Sequence, residues 1–198
     1  MTLSGIIFDM DGTLVDSALD FDAIRRDIGL SDRQPILEGI EAIPEGAERD
    51  RATRILHRHE REGAERAVPY DGVSTLISRL ADRNIRVGVL TRNSRLSTDA
   101  TFSRLGWTFD VVLTREDAPA KPDPSGVLDI CQLWQLPPGE ILFVGDYLFD
   151  LQAGHNAGTR AVLFAPGDLP PWSEQADWIV RDYRQLAELV DQLHTGTP

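Results

Sequence analysis

Short apolar runs alternate with helical patterns along most of this chain, and that alternation restricts the fold more than any other feature. The runs are "SGIIFD" (Ser4–Asp9), "IRVGVLT" (Ile85–Thr91), "FDVVLT" (Phe109–Thr114), "EILFVGD" (Glu140–Asp146) and "RAVLFA" (Arg160–Ala165), with a weaker sixth in "ADWIV" (Ala176–Val180). They are rich in Ile, Val, Leu and Phe, as strands buried on both faces of a parallel sheet are. Helical patterns fall between them, over Val73–Arg83, Leu96–Leu105, Gly126–Trp134, Asp150–Ala157 and Tyr183–Leu193. The expectation is an α/β fold, a parallel sheet with helices on both faces. Right-handed crossovers then bring the C-terminal strand ends to one edge, where open α/β sheets bind ligands.

One stretch breaks the alternation. From Ser17 to Ala67 there is no strand signal, and "LDFDAIRRDIGL" and "GAERDRATRILHRHEREGAERA" read as helices with exposed charge. The insertion opens directly after the first strand and its turn, at the ligand edge of the sheet, so a helical cap over the strand ends is expected. The domain division is then residues 1–16 and 68–198 for the α/β core and 17–67 for the cap. Arg25 and Arg26 in the first cap helix can touch a substrate, although charges on such helices usually face water.

Composition narrows the partners. The formal net charge is −12, which argues against nucleic acid or an anionic membrane surface as the main partner. No apolar run approaches the ~20 residues of a membrane span, and the N-terminus lacks the regions of a signal peptide. The one cysteine, Cys131, rules out an internal disulfide and lies in an apolar pattern where a buried thiol is expected. These features fit a cytoplasmic protein, with a monomer as the default and a dimer compatible with everything above.

Polar groups gather at the strand ends. Strand one ends in "FDMDGTLVDS", with Asp9, Asp11, Gly12 and Thr13; strand two ends in Thr91 before "RNS"; strand four runs into "GDYLFD", with Asp146 and Asp150. Asp9 and Asp11, at i and i+2 on a turn leaving a buried strand, can reach one reaction centre, and Gly12 lets the backbone turn sharply. One carboxylate can attack phosphorus and form an acyl phosphate. The other, kept protonated, can donate to the leaving oxygen and then take a proton from water. Asp146 and Asp150 at i, i+4 join Asp9 in a hard-oxygen cluster suited to Mg2+, with N-capping as the plainer role for Asp150. Thr91 and the amides of Arg92 and Asn93 lie at a strand-to-helix turn that can cradle a phosphate.

Such a site has an electrostatic problem. Two like unit charges about 4 Å apart repel by about 4 kcal/mol at an effective dielectric of about 20. A divalent cation and one side-chain cation touching both nucleophile and phosphate would offset that. The chain supplies a lysine in "AKPDPS" after strand three. Lys121 is its only lysine; the other 19 basic residues are arginine. A compact ammonium on a flexible stem differs in use from a planar guanidinium fork.

The chain resembles the haloacid dehalogenase-like hydrolase superfamily, in its branch of small phosphatases with a helical cap after the first strand, the phosphoglycolate phosphatase-like group. The resemblance rests on "DMDGT", on Thr91 in "VLTRN", on Lys121 in "KPDP" and on "GDYLFD", in order and with matching spacing over nearly the whole chain. It implies a Rossmann-like core with a small α-helical cap and a Mg2+-dependent phosphatase acting on a small phosphorylated metabolite, with Mn2+ able to substitute. By resemblance Asp9 is the nucleophile and Asp11 the general acid/base, and Thr91 and Lys121 hold the transferring phosphoryl group. Asp146, the Asp9 carboxylate and the Asp11 main-chain carbonyl bind the metal, with Asp150 nearby. The family's fourth motif often has Ser or Thr after Gly-Asp; Tyr147 stands there in this chain and can alter hydrogen bonding beside the metal.

Rival chemistries within the family are weighed by the same residues. Dehalogenases do not use the acid/base aspartate, so Asp11 argues against them. Phosphonatases form a Schiff base on a cap lysine, and this cap has none. A β-phosphoglucomutase-like phosphotransferase remains as the alternative, since its core motifs look the same. A catalytically retired binding module is disfavoured because every expected carboxylate is present.

Overall fold

A computed structural model of the chain describes residues 3–195. In chain order its elements are β1 (Gly5–Phe8), β2 (Val15–Asp16), α1 (Phe21–Ile28), α2 (Ile36–Glu41), α3 (Ala47–Arg66), β3 (Val68–Pro69), α4 (Val73–Asp82) and β4 (Arg86–Leu90). There follow α5 (Arg95–Leu105), β5 (Val111–Leu113), α6 (Ser125–Trp134), β6 (Ile141–Gly145), α7 (Leu148–Ala157), β7 (Arg160–Phe164), β8 (Trp178–Val180) and α8 (Tyr183–Thr195). Among the described residues no helix is long and apolar enough to cross a membrane.

All six expected strands form, in one sheet of order β5-β4-β1-β6-β7-β8, and every pairing in it is parallel. The α/β expectation holds. Strand β1 is central, with Ile6 opposite Val87 on one side and Leu142 on the other. The chain therefore builds from β1 to β4 and β5 on one side and then crosses to β6, β7 and β8 on the other, so the C-terminal ends of β1 and β6 form the switch point where such folds bind ligands.

Burial explains the apolar runs. The four residues of β1 and the five of β6 are all buried. One face of the sheet packs Ile7, Leu90, Ile141 and Phe143 against Val127, Ile130, Cys131 and Trp134 of α6 and Ala153 of α7. Cys131 is thus core, and burial pushes its thiol up to about 11, far from the thiolate a nucleophile needs. Toward the sheet's other end, Leu151, Ala161, Leu163 and Ala165 form a second apolar group with Trp172 beside it.

By compactness the chain falls into two units: residues 1–16, 68–92 and 108–198, and residues 17–67 with 93–107. In the first, Val15 and Asp16 pair antiparallel with Pro69 and Val68, so the chain leaves and re-enters this unit through a two-residue ribbon. In the second, Ile24, Ile28, Ile40, Ala52 and Leu56 make its apolar centre. Buried Glu60 of α3 accepts a hydrogen bond from Ser94 Oγ at 2.8 Å, and Arg104 of α5 donates to the carbonyls of Ala64 and Ala67. These long-range bonds tie α5 to α3. Arg25 is used inside this unit, donating to the Gln34 carbonyl and pairing with Asp22.

Candidate functional site

The turn after β1 is built around one carbonyl. Met10 O accepts from the amides of Thr13, Leu14 and Val15, and Gly12 N donates to Val15 O. Gly12 adopts φ +74°, and a Cβ there would stand 2.2 Å from an Asp146 oxygen, so both backbone angle and proximity require glycine. This close approach brings the DMDGT turn against the end of β6. From α8, the buried hydroxyl of Tyr183 donates to Thr13 O at 2.8 Å and braces the turn. Nothing in the sequence marks Tyr183 for that task, because the contact spans 170 positions.

Lys121 is 3% exposed, and its ammonium is fully engaged. Its Nζ lies 2.5 Å from Asp9 Oδ1 and 2.7 Å from Asp150 Oδ1, and donates to the Leu90 carbonyl at 3.0 Å. Three donors thus meet three acceptors, from the residue after β1, from α7 and from β4. The loop that carries Lys121 is itself fastened: Arg92 donates to Lys121 O at 2.9 Å, and Arg115 to Arg92 O at 3.2 Å. Sequence reasoning assigned Arg92 only its amide; its side chain braces the lysine loop.

Asp150 has two tasks. One oxygen pairs with Lys121, and the other accepts from the Tyr147 amide at 2.9 Å, capping the start of α7. Gly145 allows this, since a Cβ there would stand 2.3 Å from that of Asp150. Helix α7 starts at Leu148, two residues before the sequence pattern suggested, so Asp150 lies in its first turn.

Asp9, Asp146 and Asp150 each place a carboxylate oxygen within 4.8 Å of the others. Thr91 and Asn93 are buried at the end of β4 and just after it, with Arg92 between them. Asp9, Asp11, Thr91, Arg92, Lys121, Asp146 and Asp150 all belong to the first compact unit, whereas Asn93 is counted with the second. Burial pushes the Asp9 carboxyl up to about 7, against the pull of Lys121, with Asp150 and Asp11 adding to the push. Asp146 is driven well above the ordinary range by burial, then by Asp150 and Asp9. Burial would lower Lys121, but Asp150 and Asp9 outweigh it and hold the ammonium above its ordinary value. One ammonium therefore does not neutralise the cluster. Hard oxygens at this spacing, short of positive charge, fit a divalent cation.

A pH prediction follows from the sign of the Asp9 shift. Its folded value of about 7 lies above the ordinary 3.8, so its contribution favours the fold below about 4 and is lost as pH rises toward 7. A cation that binds the carboxylates restores it. The gain in Tm on adding Mg2+ to chelator-treated protein is expected to be larger at pH 8 than at pH 5. An equal gain at both would contradict the cation's placement at these carboxylates.

His59 bonds Asp27 at 2.8 Å and His155 bonds Asp177 at 2.9 Å.

A family model described as haloacid dehalogenase-like hydrolase matches residues 18–164. The chain is 30% identical over 207 residues to a haloacid dehalogenase-like hydrolase domain-containing protein of Arabidopsis thaliana, covering 96% of this chain and 84% of that protein. It is 28% identical over 218 residues to the N-acetylmuramic acid 6-phosphate phosphatase of Pseudomonas aeruginosa, covering 97% and 96%. Among solved structures it is similar to a predicted phosphoglycolate phosphatase from Haemophilus somnus, with a TM-score of 0.73 at 23% identity over 96% and 98% of the two chains. At that identity the likeness is one of fold.

Proposed function

The chain belongs to the haloacid dehalogenase-like hydrolase family, and from that membership we propose a Mg2+-dependent phosphatase of the phosphoglycolate phosphatase-like branch that hydrolyses a small phosphomonoester through a phospho-aspartyl intermediate on Asp9. The observation that carries the reading is the Lys121 ammonium, held 2.5 Å from Asp9 and 2.7 Å from Asp150 at the switch point of the sheet. Relatives named as N-acetylmuramic acid 6-phosphate phosphatase, phosphoglycolate phosphatase and pyrophosphatase all release phosphate by name, which supports the reaction class.

In the proposed reaction an Asp9 oxygen attacks phosphorus, and the bond from phosphorus to the ester oxygen breaks. Asp11, as the carboxylic acid, gives that oxygen its proton. The phosphoryl group is then an acyl phosphate on Asp9. The Asp11 carboxylate next takes a proton from water, whose oxygen attacks phosphorus, and the Asp9 carboxylate leaves. Lys121 stays beside the attacking oxygen and offsets charge on the phosphoryl oxygens, with Thr91 and the Arg92 and Asn93 amides as further donors. Mg2+, when bound by Asp9, Asp146 and the Asp11 carbonyl with Asp150 nearby, supplies positive charge that draws the phosphate dianion to an anionic nucleophile.

The test is hydrolysis of p-nitrophenyl phosphate by the purified chain. Turnover with Mg2+ that vanishes in excess chelator and returns with added Mg2+ is expected. No turnover on that ester or on a panel of phosphorylated metabolites, from a folded protein, would sink the proposal.

A further inference from the structure

Glu60 is a buried acidic residue of α3 that no step of the proposed reaction uses. Taking a carboxylate out of water is costly. Apolar residues of similar volume often pack a buried interface as well or better, so stability alone does not account for a carboxylate there. Its bonds point to another task. Ser94 Oγ donates to Glu60 Oε2 at 2.8 Å, and Ser97 Oγ donates to the Glu60 carbonyl at 3.3 Å. Ser94 is the N-cap of α5: the same Oγ accepts from the Ser97 amide at 3.3 Å, and the Ser94 carbonyl accepts from Thr98 N at 3.0 Å. A hydroxyl has one proton to give, and buried Ser94 gives it to Glu60. Hydrogen bonds accepted by a carboxylate are stronger than those between neutral groups. The cap is thus held from two sides, by its own helix and by α3. Glu60, Asn93, Ser94, Ser97 and Thr98 all belong to the second compact unit.

The place of the cap in the chain gives this contact its reach. Ser94 directly follows Asn93, which is itself buried. The Asn93 amide is one of the main-chain donors assigned above to the phosphoryl group. Peptide units are planar, so only φ and ψ of Asn93 separate its amide from the peptide plane that enters Ser94. A cap that drifts therefore carries the amide with it. Misplacing a group that positions the reacting atoms by an ångström is worth about a hundredfold.

We propose that Glu60 is a positioning residue for phosphate binding: by holding the Ser94 hydroxyl it sets the start of α5 and, with it, the Asn93 amide that meets the phosphoryl group. This rests on the phosphatase reading above. The probe is inorganic phosphate with Mg2+, measured as an inhibitor of p-nitrophenyl phosphate hydrolysis and, where there is no turnover, by calorimetric titration. Glu60→Ala raises its inhibition constant about tenfold and lowers kcat at least as much. Glu60→Gln, which keeps an acceptor at the same reach, recovers most of both. A negative charge acting only through space would have the opposite sign, because removing it would tighten binding of an anion. An inhibition constant that is unchanged or lower in Glu60→Ala overturns the proposal, and a fall in Tm alone is what a merely structural Glu60 gives. The effect also runs through Ser94. Ser94→Ala weakens phosphate by a similar factor, Ser94→Thr keeps the hydroxyl and the affinity, and adding Glu60→Ala to Ser94→Ala costs little more. Full additivity of the two losses overturns the proposal. Should Glu60→Ala fail to fold, Ser94→Ala against Ser94→Thr decides, with equal inhibition constants overturning it. An active wild type whose variants bind phosphate normally defeats the positioning role alone. A folded wild type that neither hydrolyses esters nor binds phosphate defeats the phosphatase reading and this role together.

Discussion

Lys121→Arg is expected to leave a folded protein whose kcat is lower by about a hundred- to a thousandfold, although the charge is kept. The ammonium meets Asp9, Asp150 and the Leu90 carbonyl at 2.5, 2.7 and 3.0 Å from a single nitrogen. A guanidinium spreads its donors over a rigid plane on a larger head and cannot converge on three acceptors from one point. The pocket has no spare room, since Lys121 is 3% exposed and its Nζ lies 5.5 Å from the Phe143 ring centroid. An arginine there would displace the Asp9 oxygen from the phosphoryl group it must reach, and an ångström of misplacement is worth about a hundredfold. Steady-state kinetics with Mg2+, beside a thermal melt showing a cooperative transition, decide the matter. Wild-type kcat in the variant would mean that the lone lysine among 19 arginines is an accident of composition.

Asp9→Asn should cost more, on the order of 10^4-fold or beyond in kcat, because it removes the atom that forms the new bond. The side chain keeps its size, and the fold should survive. Burial pushes the Asp9 carboxyl up to about 7 because the site holds its charge poorly; an amide avoids that cost. The variant's chelator-treated Tm should accordingly equal or exceed that of wild type at pH 8. Near-wild-type turnover in Asp9→Asn would remove Asp9 as nucleophile, whatever else the site does.

Much of this was legible in the sequence, for identifiable reasons. Buried parallel strands such as Ile141–Gly145 are continuous apolar runs, and helices such as α4 and α6 carry their period openly. The acidic residues that the strands end in sit where the strands deliver them. What escaped is short or distant. The ribbon of Val15–Asp16 with Val68–Pro69 is two residues per strand, too few to show alternation, and α2, at Ile36–Glu41, is a little over one turn. The grouping of residues 93–107 with 17–67 depends on bonds such as Ser94 to Glu60, which no local pattern records. The same holds for the partners that keep the site in shape. The bonds of Tyr183 to Thr13 and of Arg92 to Lys121 join residues 170 and 29 positions apart. For Asp150 the sequence offers a metal-holding carboxylate or a helix cap; the structure shows the cap, and a pairing with Lys121 that no local pattern records.

The central claim is that Asp9 takes the phosphoryl group before water does. The stereochemical course at phosphorus, followed with a chiral, isotopically labelled thiophosphate ester in the presence of Mg2+, tests it most directly. Two successive in-line displacements invert twice, so the account predicts net retention of configuration. Net inversion would mean that water attacks the ester in a single step, and the phospho-aspartyl route would be wrong.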